Sequence, residues 1–267
     1  SPLNDYVEYK ASDDGPDRDI QGRVERLRRE MTGLYGKTKM DTVPLADISR
    51  QDATALRDVL LEKMAPNSVQ RVIGTVKAAV NHAIIEGGLN IPNVFAKLRI
   101  KGAGASRQDR LPISEDQLQA LITRVQDNTV AYALVVFLAD TGARLGELVG
   151  LEVQDIDLDK GALYIRPNGI RGLKTKTSVR TVPLSERCQN LANSMLEGLS
   201  NTSPIFEAYG RPRGSDAASV MLMKHLRQVV EDPKVTIHSI RHRMKDRLRN
   251  TGCPEAISRE LLGHAQP

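Results

Sequence analysis

Residues 99–112, RIKGAGASRQDRLP, interrupt a chain that is otherwise built from helix-patterned segments. Two glycines, small residues and four cations cannot bury an apolar face, and their backbone freedom favours a flexible connection. The chain has 267 residues, enough for two ordinary domains. The boundary is therefore expected here, with 1–98 as one domain, 99–112 as a basic hinge and 113–267 as the second.

The first part reads as a small helical domain. Ile20, Val24, Leu27, Met31 and Leu34 recur at helical spacing, with Gly36 as a stop. Ser49 can cap a helix from about Arg50 to Met64. A third helix is expected from Asn67 to Glu86, with Val69, Val72, Ile73, Val76, Val80, Ala83 and Ile84 as its apolar face.

The second part opens at Ser114-Glu-Asp-Gln117, a capping-box start. Helices are expected toward Val125, over 129–139, over 143–151, over 185–198 and over 216–230. Thr236 can cap another helix, ending at about Asn250, and Pro254 opens the last one, which Gly263 ends. Leu163 and Ile165 alternate with polar neighbours, as does RTVPL at 180–184, so these form a hairpin whose tip holds Arg171, Lys174, Thr175 and Lys176. The fold class is mainly α with a small antiparallel β-hairpin.

Charge is unevenly placed. Residues 1–98 balance 14 basic against 14 acidic side chains, whereas 99–267 hold 24 against 19. The excess sits in 166–180, five basic residues with no acid, and in 241–249, five with Asp246 alone. Such clusters suit a polyanion, and they also suit a solvated basic face. Cys188 and Cys253 match no metal spacing and read as reduced thiols of a cytoplasmic protein. The apolar runs are too short to span a membrane.

Arg144 stands in an unusual place, just after Thr141-Gly142 and the apolar run 131–139, with Glu147 three residues on. HSIRHRMKDRLRN at 238–250 adds His238 and Arg241 on one helix face. With Lys174 and His264, the set is two guanidiniums, an amine and two imidazoles. Two guanidiniums can take the non-bridging oxygens of one phosphate through forked hydrogen bonds. Stabilising charge there is much of the catalysis in phosphoryl transfer. A lysine can protonate a leaving oxygen, and histidines can hold an oxygen or carry a proton. His238 and His242 have a zinc-compatible spacing, but no third ligand with matching spacing accompanies them. Lys176, two residues from Lys174 on the same tip, is the alternative to it as the acid.

TGARLGEL, LKTKTSVRTVPL, HSIRH and LLGHAQP, in that order, resemble the tyrosine recombinases, or phage-type integrases. The matching spans cover most of 113–267, and 42–98 resembles that family's core-binding domain more loosely. The resemblance implies that Arg144 and Arg241 clamp a scissile DNA phosphate, that Lys174 is the general acid, and that His238 and His264 assist proton transfer. It implies that Glu147 orients Arg144, and the basic hinge, hairpin tip and helix cluster put Lys101, Arg107, Arg171, Lys176 and Arg243 as expected DNA contacts. The implied partner is double-stranded DNA, gripped by a C-shaped clamp and bound as a tetramer on two sites when the chain is complete. No metal, ATP or other cofactor is implied. The resemblance also places a tyrosine nucleophile about nine residues past His264, beyond Pro267. None of Tyr6, Tyr9, Tyr35, Tyr132, Tyr164 and Tyr209 fits that place, so a catalytic domain truncated before its nucleophile, and monomeric as such, is expected.

Other readings fit parts of the pattern. A catalytically silent DNA-binding relative predicts binding without cleavage. A type IB topoisomerase-like enzyme predicts supercoil relaxation without sequence preference. A helical protein-interaction module leaves the five cations and imidazoles unexplained.

Overall fold

The computed structural model describes residues 1–11, 17–35, 43–104, 111–173 and 178–264. The chain divides into two compact units, Ser1–Arg107 and Gln108–Pro267.

The first unit is helical: α1 (Pro2–Tyr9), α2 (Arg18–Tyr35), α3 (Arg50–Lys63) and α4 (Pro66–Glu86). Helix α3 starts where Ser49 and Asp52 form a reciprocal capping box. Leu27, Leu56, Leu60, Val69, Val72 and Phe95 meet in its core. Arg50 then reaches the carbonyls of Val94 and Ala96, at 2.5 and 2.6 Å, and holds the segment after α4 against α3. Helix α1 was not foreseen from sequence, because eight residues are too few to show a period.

The second unit is organised around α6 (Thr129–Thr141), which follows α5 (Glu115–Val125). Residues 133–139 of α6 are all buried, so this helix carries no polar stripe. Helices α5, α8 (Glu186–Leu196) and α10 (His238–Asn250) pack on it. A sheet of β1 (Ile156–Asp157), β2 (Ala162–Ile165) and β3 (Arg180–Pro183) is antiparallel in the order β1-β2-β3. The expected hairpin is β2 and β3, with Leu163 opposite Val182 and Ile165 opposite Arg180. The two-residue β1 is an addition to it. The remaining elements are α7 (Leu145–Val149), α9 (Gly214–Leu226) and α11 (Glu255–Leu262). Among the described residues, no helix is long and apolar enough to cross a membrane.

One expected cap is different. Helix α10 begins at His238, and the hydroxyl of Ser239 accepts the amide of Thr236 at 2.9 Å. The Thr236 hydroxyl is buried without a partner, so it does not cap the helix.

Candidate active site

The end of α6 sets the position of Arg144. Gly142 takes a left-handed conformation (φ 63°), and the Thr141 hydroxyl accepts the Ala143 amide at 3.2 Å. The chain thus turns sharply and Arg144 becomes the first residue before α7. Its amide donates to Glu147 Oε2 and its Nη1 donates to Oε1, each at 2.8 Å. The carboxylate therefore caps α7 and orients the guanidinium at once.

Glu147 is held from the other side by Arg180 of β3. Arg180 Nη1 donates to Oε1 at 3.1 Å and Nη2 to Oε2 at 2.8 Å, a two-pronged pair with the side chains 2% and 6% exposed. Burial alone raises the Glu147 carboxyl. The hydrogen bonds and charge of Arg180, with the amide and guanidinium of Arg144, outweigh it and hold the group at about 2.

Three arginines converge on the end of α11. Arg180 Nε donates to the Leu261 carbonyl at 2.8 Å, Arg241 Nη2 donates to that of Leu262, and Arg144 Nη2 donates to that of Gly263 at 3.3 Å. The last carbonyls of a helix lack partners and carry its negative dipole end, so cations gather there. Arg241 Nη1 also donates to the Gly142 carbonyl at 2.6 Å, which ties α10 to the end of α6.

His264 follows that helix end, and its Nε2 lies 3.1 Å from Arg241 Nη2. Burial first, then the charges of Arg241, Arg144, Lys245 and Arg180, push the imidazole down to about 4. The ring is neutral at pH 7, and Nε2 accepts from the guanidinium while Nδ1 carries the proton. Burial and the Arg144 charge push the Arg241 guanidinium down to about 10 against a lift from Glu147, and it stays protonated at neutral pH. Arg144 is 34% exposed on its side chain, so the site presents positive charge to solvent.

His238 is exposed at the start of α10, its ring edge-on to His242 with centroids 4.8 Å apart. His238 and Arg241 line one small cavity of about 120 Å³ with Leu138, Ala143 and Ser219. The structure thus brings Arg144, Glu147, Arg241 and His264 into one bonded cluster and puts His238 beside Arg241. Lys174, Lys176 and Arg107 lie outside the described residues. Lys101 is exposed in the first unit.

One residue expected at DNA is turned to other work. Arg171 is not an exposed tip residue. It is buried, donating to the Glu147 and Arg166 carbonyls and pairing with Asp155 at 3.4 Å. Asp155 is fully buried, and it draws the guanidinium inward. Arg243 is mostly covered and paired with Glu115 at the start of α5.

Arg180 was missed as a site residue. The signal was present in RTVP, where strand alternation puts Arg180 on the same inner face as Val182. An inward arginine requires a buried carboxylate. Arg211 and Arg213 were also missed, and they share a cleft of about 330 Å³ with Arg144, Ser178 and Ser215.

Comparison with known proteins places the chain in a family. Tyrosine recombinase XerA of Pyrococcus furiosus is 28% identical over 159 residues, covering 57% of this chain and 53% of the relative. Tyrosine recombinase XerC of Lactobacillus delbrueckii subsp. bulgaricus is 25% identical over 230 residues, covering 81% of this chain and 75% of the relative. The chain spans about half the length of the XerA relatives it matches. In fold, it is similar to the Tn1549 transposon integrase solved with a circular intermediate DNA, with TM-score 0.77, 18% identity, and 99% and 90% of the two chains covered. It is likewise similar to a lambda integrase dimer bound to a COC′ core site, with TM-score 0.74, 18% identity, and 99% and 91% covered. Residues 112–267, more than half of the chain, match the model of the phage integrase family, and the chain belongs to that family.

Proposed function

We propose that this chain is the DNA-binding and catalytic portion of a site-specific recombinase, which breaks and rejoins DNA strands through a phosphotyrosyl intermediate. The observation that carries the reading is the placement of Arg144 and Arg241 on adjacent carbonyls of one helix end, with the neutral His264 beside them. Two guanidiniums so fixed can face the two non-bridging oxygens of one phosphodiester.

In this reading a tyrosine oxygen attacks the phosphorus. The bond to the 5′-oxygen breaks, and that oxygen takes a proton from Lys174 or Lys176. The resulting 3′-phosphotyrosyl link conserves the bond energy, and a 5′-hydroxyl from a partner duplex reverses the step. His238, which lines a cavity with Arg241, and His264 support the phosphate oxygens and the proton transfers. No metal or ATP enters the step. The helical segment 1–98, the hinge 99–112 and the domain 113–267 grip the duplex together, and Lys101 and Arg107 meet its backbone. Active assemblies are tetramers on two DNA sites, at the nucleoid of a bacterial or phage-infected cell.

The test has two stages. Bound duplexes are selected from a randomised pool, and the salt dependence of binding is measured. A log-log slope of several units marks phosphate contacts. A duplex carrying the selected site, nicked next to it, is then incubated with the protein expressed from its complete reading frame. A covalent protein–DNA band that disappears in Arg144→Ala and Arg241→Ala is expected. Binding with no covalent band marks a silent relative, and relaxation of supercoils without site preference marks the topoisomerase alternative.

A further inference from the structure

Three like charges crowd one helix end, and two of them face the substrate in the proposed reading. Arg180 does not. Its side chain is 2% exposed, behind Glu147 and the end of α11. Of its five N–H groups, four are taken by groups of this unit: two by Glu147, one by the Ser178 carbonyl and one by the Leu261 carbonyl. That leaves one N–H, too few for a forked contact with a phosphate, whereas Arg241, equally buried, uses three of its five among the described residues.

What it does meet is informative. Through Glu147 it fixes Arg144, because the same carboxylate takes the Arg144 amide and Nη1. Through Leu261 it fixes the turn that ends in His264, and the carbonyls of that turn hold Arg241 and Arg144. Gly263 is shaped around it. A Cβ there would stand 2.6 Å from Arg180 Nη1, and the residue is left-handed at φ 60°. One rigid fork thus spans the N-cap of α7 and the C-terminus of α11, two elements more than a hundred residues apart in sequence.

We propose that Arg180 is a positioning residue of the phosphate site: by bonding Glu147 and the Leu261 carbonyl together, it sets the spacing between Arg144 and the Arg241–His264 pair. The inference rests on the reading of Arg144 and Arg241 as phosphate ligands. A lysine at 180 keeps the charge opposite Glu147 but has no planar fork, and one ammonium cannot hold both carboxylate oxygens and the carbonyl behind them.

The probe is inorganic phosphate, titrated into the whole chain and followed by NMR of the His264 ring. Arg144→Lys is the control for the reading, and thermal unfolding reports the fold. Arg180→Lys is expected to stay folded and to bind phosphate about tenfold more weakly, the scale on which orienting partners tune a ligand. A folded Arg180→Lys with wild-type affinity, beside an Arg144→Lys that has lost it, overturns the proposal and leaves the phosphate reading standing. Equal phosphate binding by the wild type and Arg144→Lys sinks the reading itself. If Arg180→Lys does not fold, Arg180→Gln is measured in the same way, and a folded variant with wild-type affinity overturns the proposal.

Discussion

Arg144 and Arg241 end on neighbouring carbonyls, those of Gly263 and Leu262, so two cations from distant parts of the chain share the C-terminus of one short helix. Helix ends of this kind leave carbonyls without partners, and the guanidiniums satisfy them. The helix is therefore a template for the site as well as a packing element.

Glu147 makes acid stability a direct readout of the network. Its folded value of about 2 lies below the ordinary 4.5, so its contribution is complete above about pH 4.5 and is lost as pH falls toward 2. The full effect is about 3 kcal/mol. Urea unfolding of the wild type is expected to weaken over that window. Glu147→Gln is expected to start lower and lose less across it. Parallel pH curves for the two proteins would contradict this.

The His264 ring is expected to titrate at about pH 4, well below an ordinary histidine, because it is partly buried among Arg241, Arg144, Lys245 and Arg180. Its folded value is depressed, so the stability it contributes is present above about pH 6.5 and is lost as pH falls through 4. Ring NMR signals followed from pH 7 downward measure the midpoint. Arg144→Ala removes one of the repelling charges, and the midpoint is expected to rise.

Gly142→Ala tests the turn between α6 and Arg144. A Cβ there would approach Met244 Cγ to 2.7 Å and Leu262 Cδ2 to 2.8 Å, on a backbone at φ 63°. The expected cost is about 1–3 kcal/mol. Thermal unfolding measures it, and a melting temperature equal to the wild type would show that the turn relaxes freely.

Arg171 separates burial from surface charge. Arg171→Ala leaves Asp155, which is fully buried, with Arg166 as its remaining ion-pair partner. Because Arg166 still offsets the Asp155 charge, the expected destabilisation is about 1–3 kcal/mol by urea unfolding. A loss of DNA affinity with unchanged stability would instead restore Arg171 to the DNA-facing surface.

Much of the architecture is legible along the chain because its signals are local. Ser49 and Ser114 announce capping boxes, Gly263 announces a helix stop, and the spacing of Val69, Val72, Ile73 and Val76 announces a buried face. Arg144, Glu147, Arg241 and His264 are legible as a chemical set, because few other roles call for those groups in that order. Arg171 misled for a physical reason: a basic residue in a turn-like segment reads as solvated until the carboxylate that buries it is located. Thr236 misled because the helix takes Ile237 as its N-cap, one residue on, and the Thr236 hydroxyl is buried away from its first amides.

The sequence by itself determined the helices other than α1, the hairpin and the identity of the cations, since period, capping and side-chain chemistry are properties of neighbouring residues. Only the tertiary structure decided which cations touch. Arg180, Glu147 and Leu261 are separated by tens of residues, and their meeting depends on the packing of β3, α7 and α11 around α6. A buried arginine is tolerable only where a carboxylate and free carbonyls already wait for it, and no local pattern records that.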